Sequence, residues 1–138
     1  MPARVTPDSN ILISALVFGG NPLRLIEMAL DDEVALFVSD AIVQETLRIL
    51  RDKFGFSAKR LAQAEDYITG CTERVKPAQT VDVVKEDPDD NRVLECAEAA
   101  DCEAIITGDL DLLRLRSYGN IRIVTVREFL DREIETGG

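Results

Sequence analysis

Asp87-Pro88-Asp89-Asp90-Asn91-Arg92-Val93-Leu94 opens one stretch of this chain, and Ala104-Ile105-Ile106-Thr107-Gly108-Asp109 closes it. The first half reads as a turn and a helix start. Proline fixes its own φ, and aspartate accepts hydrogen bonds from the free N–H groups of a first turn. Val93, Leu94 and Ala97 then follow at helical spacing to about Ala100. The second half is a short apolar run ended by Gly108. It reads as a strand buried on both faces, the kind that parallel sheets use. Helix, strand and an acid at the strand's exit together predict a parallel α/β architecture.

Reading outward from this unit gives more of the same. Val5 to Pro7 is a short strand, and Asp8-Ser9-Asn10 caps a helix over Ile11 to Phe18, ended by Gly19-Gly20. Asn21-Pro22 restarts a helix to about Leu30. Val34 to Val38 is a second strand, and Ser39 or Asp40 caps a helix that buries Ile42, Val43, Leu47 and Leu50 and breaks at Phe54-Gly55-Phe56. Ser57 opens a further helix through Ile68, and Val75 marks a third strand that Pro77 ends. Val81 to Val84 is extended. Beyond Asp109 come a short helix from Leu110 to Leu115, a fifth strand from Ile121 to Val124, and a terminal helix capped by Thr125 and running through Phe129. Glu135 to Gly138 reads as a tail. The expectation is one domain over residues 1–138, with about five parallel strands covered by helices on both faces.

Composition narrows the chemistry. Of 138 residues, 46% are hydrophobic, enough for an ordinary core. The longest apolar run, Ile11 to Phe18, is well short of the roughly 20 residues a membrane span needs. The start lacks a basic segment followed by an apolar one, so the chain reads as cytoplasmic rather than secreted. Cys71, Cys96 and Cys102 are odd in number and form no C-x-x-C pair, so they read as reduced core thiols. Histidine is absent, which removes Ser-His-Asp and Cys-His catalysis and a Cys/His zinc site. The net charge of −10 argues against broad nonspecific binding of nucleic acid. It leaves room for carboxylates gathered to hold cations, because bound ions reverse the local field.

In open parallel sheets, ligands sit beyond the C-terminal ends of the strands. Asp8 follows the first strand, Asp109 and Asp111 follow the fourth, and Asp87, Asp89 and Asp90 open the helix before the fourth. Glu45 lies within a helix. Each has a plainer role available: Asp8 and Asp109 as helix caps, Asp87 to Asp90 as turn formers, Glu45 as a solvated side chain. Together on one rim they would repel unless a cation sat among them, and oxygen ligands suit Mg²⁺ or Mn²⁺. Such ions activate water and neutralise charge on a phosphodiester without any histidine.

The chain resembles the PIN domain family, and within it the VapC-like toxins of toxin–antitoxin pairs. The resemblance rests on Asp8-Ser9-Asn10-Ile11-Leu12-Ile13-Ser14-Ala15-Leu16, on Glu45, on Asp87 through Ala97, and on Thr107-Gly108-Asp109-Leu110-Asp111-Leu112-Leu113. It implies a three-layer α/β/α sandwich and a Mg²⁺- or Mn²⁺-dependent ribonuclease. It implies Asp8, Glu45, Asp90 and Asp109 as the catalytic acids, with Asp8, Asp90, Asp109 and Asp111 on the metal. Ser9 and Asn10 would orient Asp8 from behind. It also implies a homodimer and an antitoxin partner. Two positions depart from the family: Ser9 replaces threonine, and Pro7 replaces an apolar strand residue. Proline removes a ladder donor, so it is expected to shorten or bend the first strand and shift Asp8.

Arg48, Arg51, Lys53, Lys59 and Arg60 cluster around Phe54 and Phe56, while Arg114 and Arg116 follow Asp109. Either set suits the phosphates of single-stranded RNA, with the aromatics stacking on bases. The first set reads more readily as a solvated helix end whose phenylalanines plug the core. A catalytically silent PIN-like binding module is the competing reading. A phosphoacceptor receiver domain fits less well, because Val34 to Val38 ends in Ser39 and no lysine follows the last strand. Gly19-Gly20 does not form the glycine-rich turn of a dinucleotide site.

Overall fold

A computed structural model describes residues 2–137, with side chains through Glu133. Strand β1 (Ala3–Pro7) leads into helices α1 (Ser9–Val17) and α2 (Gly20–Leu30), then β2 (Val34–Val38), α3 (Asp40–Phe54), α4 (Ala58–Cys71) and β3 (Glu73–Arg74). After an irregular segment come α5 (Asp90–Ala99), β4 (Ala104–Ile106), α6 (Leu110–Leu113), β5 (Ser117–Tyr118), β6 (Ile121–Val124) and α7 (Val126–Gly137). The strands form one sheet in the order β3-β2-β1-β4-β6-β5. Every pairing is parallel except β5 with β6, which run antiparallel. This is the expected three-layer α/β/α arrangement.

The order puts β1 and β4 side by side, with Val5 opposite Ala104 and Pro7 opposite Ile106. Their C-terminal ends therefore deliver Asp8 and Thr107 to adjacent points on one rim. Pro7 closes β1 without breaking the ladder, because the Asp8 N–H donates to the Ile106 carbonyl at 3.0 Å. The expected displacement of Asp8 by Pro7 is thus corrected: the next donor carries the pairing. On the face toward α5, the Thr6 hydroxyl lies 3.7 Å from the Cys96 thiol and 3.3 Å from that of Cys102, in a fully buried contact. Cys71, Cys96 and Cys102 are all free and buried.

The caps follow local chemistry. Ser39 rather than Asp40 caps α3, accepting from the Ile42 N–H, and Ser57 caps α4 through Arg60. Thr125 and Glu128 form a reciprocal capping box at the start of α7. Helices α1 and α2 meet at 100°, the break being made at Gly19 and Gly20, both with positive φ. Among the described residues, no single helix is long and apolar enough to cross a membrane.

Some expectations need correction. The sheet has six strands, not five, because β3 and β5 are two-residue pairings too short to show periodicity. The third strand lies at Glu73–Arg74, although the Val75 N–H still reaches the Val38 carbonyl at 2.9 Å. The restart after Gly19 begins at Gly20, ahead of Pro22. Helix α7 continues past Phe129 to Gly137, so the expected tail from Glu135 is helical that far, while Gly138 lies outside the described residues.

Gly55 ends α3 in the left-handed region, φ 66°, and a Cβ placed there would find no atom within 4 Å. A side chain at this position meets no neighbour and feels only backbone strain, so Gly55→Ala should lower the unfolding free energy by about 1 kcal/mol. Gly70, inside α4 and equally uncrowded, should respond oppositely, with Gly70→Ala adding about 0.5–1 kcal/mol. Urea titrations of the two variants beside wild type would check both signs.

Candidate metal centre

Asp8 is the innermost acid, only 3% exposed. Its Oδ1 caps α1 by accepting from the Ile11 N–H at 3.1 Å, and its Oδ2 accepts a very short hydrogen bond from the Thr107 hydroxyl. Burial pushes its pKa up to about 6; the bonds from Thr107 and Ile11 oppose that rise, and the charges of Asp109 and Glu45 add to it. The Thr107 hydroxyl also accepts from the Asp109 N–H at 2.9 Å. One side chain at the end of β4 therefore fixes both the Asp8 carboxylate and the turn that carries Asp109.

Asp109 caps α6, its Oδ1 accepting from the Asp111 N–H at 2.8 Å. Asp90 opens α5 and is 7% exposed, yet its Oδ2 is buried with no hydrogen-bond partner. Burial is the main cause that lifts the Asp90 pKa to about 8, followed by the charges of Asp109, Asp87, Asp8 and Asp111. Asp87 turns the chain before α5, its Oδ1 accepting from the Asp89 N–H at 3.2 Å. Asp87, Asp90 and Asp109 each offer an oxygen within 4.8 Å of the other two.

Glu45 reaches the rim from α3. It is half-buried, and its pKa is raised first by burial and then by Asp89, while a hydrogen bond with Ser9 lowers it. Asp111 stands outside the cluster, paired with Arg114 at 2.9 Å. Asn10 is exposed on the first turn of α1. Of the acids singled out in the sequence, the structure thus clusters Asp90 and Asp109, sets Asp8 and Glu45 against them, and leaves Asp111 at the edge. It brings in Asp87, which the sequence offers mainly as a turn former.

The fit to a divalent cation rests on the orphaned Asp90 oxygen. A buried carboxylate oxygen with no donor is costly unless a cation meets it. Two more carboxylates offer oxygens within 4.8 Å of an oxygen of the same side chain, and hard oxygen donors match Mg²⁺ or Mn²⁺ chemistry. The residues present fit such an ion.

Two supporting residues carry little signal in the sequence. Thr107 looks like the last residue of a buried strand, and its hydroxyl is the only hint of a polar role. Asn91 sits in the first turn of α5 and is 1% exposed. Its Oδ1 accepts from the Val83 and Val84 N–H groups at 2.9 and 2.8 Å, and its Nδ2 donates to the Val84 carbonyl at 2.8 Å. Glu95 accepts from the Val81 N–H at 2.8 Å. These side chains replace a sheet partner: Val81 to Val84 belongs to no strand or helix. They also hold the segment leading to Asp87 against α5.

The basic residues divide. Arg48 lies 3.8 Å from Asp89 across exposed side chains, Arg51 pairs with Asp52 at 2.7 Å, and Lys53 is exposed in the last turn of α3. Arg114 is tied to Asp111, and Arg116 occupies a left-handed turn with φ 61°. Phe54 meets Phe18 edge to face at 6.1 Å, while Phe56 lies under the Arg60 guanidinium. Beside Glu45 opens a groove of about 520 Å³ that Arg48, Arg51 and Arg92 line.

Two consequences can be measured without activity. Asp90 has a folded pKa near 8 against 3.8 for its ordinary value, so its protonated form is favoured by the fold. That stability is fully present below about pH 4 and is lost as pH rises through about 8. In EDTA, the melting temperature of wild type should therefore fall relative to Asp90→Asn across this window. Asp90→Asn should be the more stable protein at pH 8; a less stable variant there would show that Asp90 serves as a helix-start residue instead. Thr107→Val removes a hydroxyl bonded to a buried carboxylate and should cost about 1.5–3 kcal/mol by urea unfolding, with Thr107→Ser recovering most of it.

A family model described as PIN domain matches residues 4–111 of the chain. That span includes Asp8, Glu45, Asp87, Asp90, Asp109 and Asp111, and ends before β5. No curated protein matches the chain.

Proposed function

The chain belongs to the PIN domain family, and on that premise we propose that it is an endoribonuclease that hydrolyses RNA phosphodiester bonds with Mg²⁺ or Mn²⁺. The family fold is generally that of metal-dependent nucleases, and the acidic triad is compatible with such an activity. The observation that carries the reading is the convergence of carboxylate oxygens of Asp87, Asp90 and Asp109, the Asp90 side chain also having an oxygen that no protein donor satisfies.

Asp87, Asp90 and Asp109 would hold the ion. When bound, it supplies charge neutralisation at the phosphodiester and a lowered pKa for an attacking water. The protein's own groups do the rest. Thr107 and the Ile11 N–H hold Asp8 in one orientation behind the cluster, where its charge draws a cation inward. Glu45 stands at the groove side with Ser9 beside it. Its raised pKa makes a Glu45 carboxylate oxygen the natural acceptor for the water's proton. The water oxygen then bonds to phosphorus as the bond to the ribose oxygen breaks, and that oxygen leaves as a hydroxyl by taking a proton from solvent water.

The biological reading extends to a toxin restrained by an antitoxin protein, acting in the cytoplasm as a homodimer. Three free buried thiols accord with a reducing compartment. Exposed apolar side chains accord with protein partners: Leu30 on α2, Tyr67 on α4, and Phe18, which is 73% exposed beside Phe54.

Purified protein should cut a mixed single-stranded RNA pool with Mn²⁺ or Mg²⁺ and not with EDTA. Asp8→Asn and Asp90→Asn should reduce cleavage to the EDTA background while circular dichroism stays native. Wild-type cleavage by Asp90→Asn would remove the triad from the reaction.

A further inference from the structure

The acids of the rim border a groove formed by α3, α4 and the start of α5. Glu45 and Asp89 line this groove together with Arg48, Arg51 and Arg92 and with apolar side chains such as Leu47 and Leu61. Three guanidinium groups around one cavity run against the composition of a chain with net charge −10. Arg48 and Arg51 are three residues apart on α3 and so project from one face. Neither is strongly engaged. Arg48 meets Asp89 only at 3.8 Å, and Arg51 pairs with its neighbour Asp52 on the surface. Exposed pairs of this kind give way readily to a better anion.

Arg92 is held differently. Its Nη2 donates to the Val81 carbonyl at 3.0 Å and meets Glu95 at 2.8 Å, while its Nε has no partner. That Nε is buried, but the side chain as a whole is partly exposed and anchored at one edge, so its position is set before any ligand arrives. The groove thus sets three guanidinium groups beside Glu45 and Asp89, close to the acids of the rim. RNA presents an anion at every nucleotide, and guanidinium forks match phosphate oxygens.

We propose that Arg48, Arg51 and Arg92 hold the phosphates of the single-stranded RNA that flank the scissile one, so that the strand leaves the carboxylate cluster along the α3–α4 groove. This rests on the nuclease reading above. It selects one of the two basic sets visible in the sequence. Neither Lys53 nor Arg114 nor Arg116 is among the groove's lining residues.

The test is binding of a short labelled single-stranded RNA in EDTA, followed by fluorescence anisotropy across a salt series. Arg48→Ala/Arg51→Ala should weaken binding by about tenfold at low salt. It should also flatten the slope of log K against log salt by about 0.7 for each contact removed. Arg92 is left in place because it also holds Val81. Arg122→Ala, on β6 and paired with Glu103 at 3.7 Å, should match wild type. An unchanged affinity and slope in the double variant would overturn the proposal, as would a wild type that does not bind RNA. Displacement of the RNA by a polyglutamate peptide at equal charge and equal affinity would also overturn it, reassigning the groove to an acidic polypeptide. A Mn²⁺ titration of the same double variant separates the two readings. Retained Mn²⁺ binding and wild-type cleavage would sink the groove and leave the nuclease standing, whereas absent Mn²⁺ binding in wild type would sink the nuclease.

Discussion

Carboxylates that crowd one rim of a sheet repel one another, and desolvation makes the repulsion worse. In this protein the problem is solved in two layers. Asp8, the deepest acid, is stabilised by protein donors, with the Thr107 hydroxyl on one oxygen and a helix N–H on the other. Asp90 is given no donor on its buried oxygen, and its proton is held to about pH 8 when no cation is present. The first layer is complete in the protein alone, and the second is left with a carboxylate oxygen that no protein donor meets. The adjacency of β1 and β4 makes the first possible, because without it Thr107 would not reach Asp8, while α5 packed against β4 brings Asp90 to Asp109. Strand order is thus a condition of the chemistry as well as of the fold.

Much of this arrangement is legible in the sequence. The apolar runs 34–38, 104–106 and 121–124 announce buried strands, and serine, threonine or aspartate before each of several helices announces its start. Asp8, Asp90 and Asp109 stand at strand exits or helix starts, where the rule for parallel sheets looks for ligands. Other features are not legible, for definite reasons. A two-residue strand such as Glu73–Arg74 is too short for alternation to show. Val81 to Val84 has strand composition, but its N–H groups are met by Asn91 and Glu95, and nothing local encodes a side-chain partner further along the chain. Asp87 doubles as a turn former and a cluster member, and sequence shows only the first role.

The distribution of charge separates two demands that composition merges. A net charge of −10 discourages indiscriminate adsorption of polyanions. A local wall of arginines beside the cluster can still steer one polyanion to one place. On the reading proposed above, the acidic remainder would sharpen the contrast with the groove that Arg48, Arg51 and Arg92 line. Salt bridges at the surface, such as Arg48 with Asp89, keep that wall partly neutral until a phosphate competes for it.

The two margins of the sheet carry a last consequence. Each is a strand of only two residues: β3, an exposed Glu73–Arg74 pair, and β5, which folds back antiparallel on β6. A long open margin would offer a ladder of unsatisfied N–H and carbonyl groups to any extended peptide. Truncated, charged margins offer almost no template, so the protein is poorly suited to recruit strands from other chains or to seed fibrils. Association with other molecules is left to helix surfaces and grooves, where side chains rather than backbone choose the partner.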